Sequence, residues 1–177
     1  MTFDFRGKSA LIMGAVGGIG AAVAHLLGAA GAAVAVTDVA LEGAQIVAQQ
    51  INDAGGKAVA FKLDVSSADD VERVTAAAEA GLGVITLGVT CAGIIRIVPF
   101  LELTADTWDR TLAINLKGTF LVFQALARRM IEAKQPGSLV GLSSVAGRGG
   151  RVSAVDYAAS KAGLIGSAPW RDTQNGG

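Results

Sequence analysis

Tyr157 and Lys161 stand four positions apart in the stretch Tyr-Ala-Ala-Ser-Lys, near the end of a 177-residue chain. On a helix that spacing puts both side chains on one face. A free phenol titrates at about 10 and exchanges protons poorly near neutrality. An ammonium beside it favours the phenolate and brings the phenol toward a working range, so the pair could hold a catalytic proton. An exposed surface pair is the bland alternative. Ser143 and Ser144 precede the pair, and a hydroxyl there can bond a substrate carbonyl oxygen and hold it against the tyrosine. Ser144 as a nucleophile lacks a base, because the only histidine, His25, falls in a helical stretch far upstream. Asn115 sits mid-helix, where asparagine has no propensity advantage; it either carries a water in a proton relay or marks a kink.

A second group lies near the start. In "GAVGGIG", Gly14 can turn tightly, Gly18 lets backbone N–H groups approach a pyrophosphate, and Gly20 lets helix and strand pack closely. Glycines also serve ordinary turns, so the loop alone is weak evidence. Asp38 strengthens it. It ends the next strand-like run, eighteen positions past Gly20, where a carboxylate can accept hydrogen bonds from an adenosine ribose. The same charge repels a 2′-phosphate, which favours NAD over NADP. Asp64 is placed either to reach the adenine edge or to cap a helix.

These residues need elements to position them, and the chain alternates strand-like and helical patterns. Strands are predicted in "SALIMG", "AAVAVTD", "KAVAFKLDV", "VITLGVTCAG" and "GSLVGLSS". The first helix shows the stripe Ile19, Val23, Leu26, Leu27 and Ala30; the second shows Leu41, Ala44, Ala48 and Ile51. Ser67 and Asp70 form a capping box for a third helix carrying Val71, Val74 and Ala78. Thr104 caps a long helix with the stripe Trp108, Leu112, Leu116, Phe120, Phe123, Ala127 and Met130. Strands buried on both faces, each followed by an amphipathic helix, predict an α/β, doubly wound parallel sheet with ligands at the carboxyl ends of its strands.

Composition narrows the functional classes. Lys plus Arg and Asp plus Glu number 15 each, which gives no electrostatic reason to expect nucleic acid or an anionic membrane surface. The weakly charged run Ala10–Val36 has the length of a membrane span, but its glycines and mid-run change of period favour strand–helix–strand. One cysteine, Cys91, allows no internal disulfide and points to a reducing, cytoplasmic setting. No metal site is expected. A phosphate-transfer domain is excluded because no Lys-Ser or Lys-Thr follows the glycines.

Taken in order, "GAVGGIG", Asp38, Asp64–Val65, "CAG", Asn115, Ser144 and "YAASK" resemble the short-chain dehydrogenase/reductase family, from Phe5 to about Gly166, with Tyr157 thirteen positions after Ser144. The resemblance implies a Rossmann-like fold and NAD(P)-dependent hydride transfer between an alcohol and a carbonyl. On it, Tyr157 is the catalytic acid/base, Ser144 polarises the carbonyl, Lys161 tunes the tyrosine and bonds the nicotinamide ribose, and Asn115 anchors the relay water. Gly14, Val16, Gly18, Ile19, Gly20, Asp38, Asp64, Val65, Ala92 and Gly93 would bind the dinucleotide, together with Tyr157 and Lys161.

The chain departs from that pattern twice. Thr90-Cys91-Ala92-Gly93 replaces the family's Asn-Asn-Ala-Gly, so the sheet is expected to be weaker there. Cys91 is read as a buried small hydrophobe. Beyond the Tyr-x-x-x-Lys helix the family continues with further helix and two more strands, whereas "SAPWRDTQNGG" reads as an irregular tail. The expectation is a dinucleotide-binding and catalytic domain over 1–167, cut short with about five strands, and a tail over 168–177. It should bind NAD(H) with impaired turnover of a small alcohol or carbonyl, and its homo-oligomers should be weakened. The alternative is a non-catalytic nucleotide-binding or interaction remnant.

Overall fold

A computed structural model describes residues 3–167; the expected irregular tail lies outside them. β1 (Ser9–Met13), β2 (Ala33–Asp38), β3 (Lys57–Lys62), β4 (Leu87–Thr90) and β5 (Ser138–Gly141) form one parallel sheet in the order β3-β2-β1-β4-β5. The helices are α1 (Gly18–Ala29), α2 (Leu41–Asp53), α3 (Ala68–Leu82), α4 (Ala105–Leu112), α5 (Gly118–Glu132), α6 (Ala146–Gly149) and α7 (Val155–Ser167). A π-helical turn, Ala113–Lys117, joins α4 to α5. The strand order reverses between β1 and β4, which is where such sheets open a crevice at their carboxyl ends.

The sheet separates two apolar cores. Ala10, Ile12, Val34 and Val36 face Ala24, Ala44, Val47 and Ile51 on one side. Leu11, Met13 and Ala35 face Val71, Val74, Val122 and Leu126 on the other. Every residue of β1 is buried, as expected of a central parallel strand covered on both faces. The charge-poor run Ala10–Val36 is β1, α1 and the start of β2. Among the described residues no helix is long and apolar enough to cross a membrane.

Capping follows the local chemistry. Ser67 Oγ accepts from Asp70 N at 3.3 Å. Asp70 reaches Asp64 N at 2.7 Å instead of closing a reciprocal box on Ser67. Thr104 Oγ1 accepts from Thr107 N at 3.2 Å.

Two helical faces differ from the hydrophobic stripes. In α1, Ile19 is 63% and Leu26 70% exposed, while Gly20, Ala24 and Gly28 are buried. A Cβ on Gly28 would lie 2.6 Å from Ile51 Cγ2; close approach, not hydropathy, selects this face. Along the α4–α5 rod, Phe120 is exposed and Thr111, Asn115 and Thr119 point inward, where the π turn rotates the register. β3, β4 and β5 are also shorter than their apolar runs.

Candidate active site

The crevice is built from backbone. Gly14 N and Ala15 N both donate to Thr37 O, at 2.9 and 3.1 Å, hanging the glycine loop from β2. Cys91 N and Ala92 N both donate to Met13 O, at 2.8 and 2.9 Å, as β4 peels away. Gly14 has φ +76°, and a Cβ there would lie 2.5 Å from Ala92 Cα, so the position requires glycine. Gly20 lies beneath it: its Cβ would fall 2.0 Å from Gly14 O. A Cβ on Gly18 would meet nothing within 4 Å, which leaves that side of the helix N-terminus open to an anionic group.

Asp38 is fixed at the edge of this crevice. Its Oδ2 accepts from Val16 N at 3.3 Å and its Oδ1 from Ala40 N at 3.1 Å. Asp64 Oδ1 accepts from Ser66 N at 2.9 Å and Ser66 Oγ at 2.6 Å, so it caps its own turn while still lining the crevice. The cavity, 590 Å³, has Gly14, Asp38, Asp64, Val65, Ala92 and Gly93 among its walls. Thr37, Ser66, Arg110, Ala113 and Ile114 also line it, and sequence reasoning misses all five. Thr37 and Ser66 adjoin the expected Asp38 and Val65, whereas Arg110, Ala113 and Ile114 come from α4 and the π turn and meet the cavity only in the fold.

The other expected cofactor residues, Val16, Gly18, Ile19, Gly20, Tyr157 and Lys161, are not on that wall. Gly20 is buried under Gly14, and Val16 turns its side chain toward α2, where a Cβ on Gly43 would lie 2.5 Å from Val16 Cγ1. Ile19 points outward.

The residues expected to handle the proton, Ser144, Tyr157 and Lys161, lie off that wall. Lys161 is 5% exposed, with Nζ 5.8 Å from the Tyr157 ring centroid. A Cβ on Gly93 would lie 3.6 Å from that Nζ, so the lysine adjoins the cavity wall. Burial pushes the Lys161 ammonium below the ordinary lysine value, and the neighbouring Cys91 opposes the shift. Cys91, half-buried, moves the other way: burial raises its thiol and Lys161 partly offsets this. Ser144 Oγ accepts from Ala146 N at 3.2 Å, which leaves the hydroxyl proton available to donate.

Asn115 is fully buried at the π turn, a helical irregularity that recurs at functional sites. Its side chain accepts from Ile94 N at 2.8 Å and donates to Ile94 O at 2.9 Å and Ser160 Oγ at 3.1 Å. All its strong donors and acceptors but one lone pair are thereby engaged. The Thr90 hydroxyl lies 3.4 Å from that of Thr119 on α5, linking strand to helix.

Comparison with known proteins supplies an independent line. The family model described as short chain dehydrogenase matches residues 8–169. The chain is 43% identical to D-threitol dehydrogenase of Mycolicibacterium smegmatis over 93% of its own length and 64% of that protein's. It is 38% identical to (3R)-3-hydroxyacyl-CoA dehydrogenase of Rattus norvegicus, over 91% of this chain and 65% of that one. The crystal structure of a short-chain type dehydrogenase/reductase from Mycobacterium marinum superposes with a TM-score of 0.89 at 34% identity, over 93% of this chain and 68% of the other. The chain therefore spans slightly under two thirds of the length of these curated relatives.

Proposed function

We infer that this chain, which belongs to the short-chain dehydrogenase/reductase family, binds NAD(H) in the β1–β4 crevice and handles the proton of an alcohol–carbonyl interconversion with Tyr157. A nicotinamide dinucleotide, when bound, supplies hydride exchange with the alcohol carbon. The residues present fit such a group: a glycine turn with open space above Gly18, a cavity beside it, and a carboxylate held at the end of β2. Gly14, Gly18, Asp38, Asp64, Val65 and Gly93 would hold it. Asp38 would take the ribose hydroxyls and disfavour a 2′-phosphate, so NAD is preferred over NADP.

Lys161 carries the reading. Its ammonium lies 5.8 Å from the centre of the Tyr157 ring and beside the cavity wall at Gly93, where it would hold a ribose. Tyr157 would pass or take the proton at the substrate oxygen, and Ser144 would donate a hydrogen bond to that oxygen. Asn115 would act by fixing the framework around a relay water, its own main-chain carbonyl already accepting from Thr119 Oγ1 at 3.1 Å. The relatives' names specify threitol and a 3-hydroxyacyl-CoA. They share an alcohol and little else, so the alcohol/carbonyl class is carried over without a particular substrate.

The test pairs calorimetric titration of NADH and NADPH with turnover on a panel of alcohols and ketones, for the unsubstituted chain and Tyr157→Phe. Expected are tighter binding of NADH than NADPH, and turnover that Tyr157→Phe abolishes without loss of binding. Binding with no turnover in either protein would favour a nucleotide-binding module. Absence of binding would sink both.

A further inference from the structure

Lys161 and the end of β5 exchange hydrogen bonds. Ser143 Oγ donates to the main-chain carbonyl of Lys161 at 2.7 Å, and Lys161 Nζ donates to the carbonyl of Leu142, also at 2.7 Å. A third contact falls on the same peptide unit. A Cβ on Gly147 would lie 2.7 Å from Lys161 C, 2.8 Å from Lys161 O and 2.8 Å from Ala162 N, so the α6 backbone rests directly on α7 at this point. The lysine is thus gripped at its root by Ser143 and Gly147 and at its head by Leu142.

The root matters because the head is on a long stem. A lysine side chain carries about 2 kcal/mol of rotamer entropy, and a small displacement of a catalytic group costs disproportionately in effect. The ammonium must serve two neighbours, the Tyr157 ring at 5.8 Å and the wall at Gly93. A helix shifted along its axis would surrender one of them. The hydroxyl of Ser143 is not used by the proposed chemistry, which draws on Ser144.

We propose that Ser143 is a positioning residue that sets the reach of the Lys161 ammonium by pinning the Lys161 carbonyl against Gly147. The proposal rests on the reading of Lys161 as the partner of Tyr157. Ser143 acts through the lysine and needs no contact of its own with substrate.

Cys91 is the chain's single cysteine, and the Lys161 ammonium draws its thiol down against the effect of burial, so the pH dependence of Cys91 alkylation reports where that ammonium sits with neither turnover nor cofactor. Ser143→Ala is expected to raise the pH midpoint of alkylation and to weaken NADH binding by about three- to tenfold. Ser143→Thr, which keeps the hydroxyl, should restore both. Gly147→Ala presses on the same peptide from the other side and should also move the midpoint; it carries the test if Ser143→Ala fails to fold by circular dichroism. A folded Ser143→Ala chain with an unchanged midpoint overturns the proposal, as does a Ser143→Thr chain that matches the alanine variant. An unsubstituted chain that binds no NADH counts against the proposed function, while the alkylation comparison still decides the role of Ser143.

Discussion

Asn115 Nδ2 donates to Ser160 Oγ at 3.1 Å, and Ser160 Oγ in turn donates to the Tyr157 carbonyl at 2.7 Å. With the two bonds to Ile94, one amide joins the loop after β4, the π turn and the helix carrying Tyr157. Asn115→Ala would leave the half-buried Ile94 amide and carbonyl, and the buried Ser160 hydroxyl, without this partner. The expected loss is roughly 2–4 kcal/mol. Urea denaturation measures it, and a loss below about 0.5 kcal/mol would show that the network is replaceable by water.

Gly20→Ala should be among the most damaging small substitutions, because its Cβ would land 2.0 Å from the Gly14 carbonyl oxygen. The strain is expected to cost about 3 kcal/mol or more and to disturb NADH binding. Gly81 in α3 is the control, since a Cβ there meets nothing within 4 Å. Gly81→Ala should stabilise by about 0.5–1 kcal/mol. Paired thermal melts read both signs.

Cys91 offers a probe of the cavity it lines. Burial raises its thiol above the usual range, with Lys161 only partly compensating, so alkylation near neutrality should be slower than for a free cysteine. Saturating NADH should slow it further. Mass spectrometry of the single cysteine follows the reaction, and equal labelling with and without NADH would argue against a dinucleotide in this cavity.

Asp70 should give acid-dependent stability. Burial works to raise its carboxyl, but the Asp64 N–H and the Arg73 guanidinium outweigh burial and hold it below the ordinary value of 3.8. The native state therefore releases this proton more readily than the unfolded chain. Its contribution is complete above the unfolded value and disappears as pH falls through the native one. Asp70→Asn is expected to cost roughly 0.5–1 kcal/mol near neutrality. The gap from the parent should close in acid, as followed by melting temperature across a pH series.

The glycine turn, the caps at Ser67 and Thr104, and the order of strands and helices were legible because each is decided by a few adjacent residues. Helix facing was not. Ile19 and Leu26 are large and apolar, yet Gly20, Ala24 and Gly28 face the sheet because only small residues allow α1 to approach α2 closely. The same applies to Phe120 against Thr111 and Thr119, whose buried hydroxyls bond Asp156 and the Asn115 carbonyl. Within the site, Asp38 and Lys161 follow from position in a motif. Arg110 does not, since it reaches the cavity from α4. Neither do the partners of Asn115, Ile94 and Ser160, which lie 21 and 45 positions away.

At the end of β4, it is amide protons converging on the Met13 oxygen that anchor the chain, while the Cys91 side chain plays no part in that anchorage. Such a site is permissive to mutation: evolution could exchange the thiol for another small group and retune the crevice without reworking the scaffold below it.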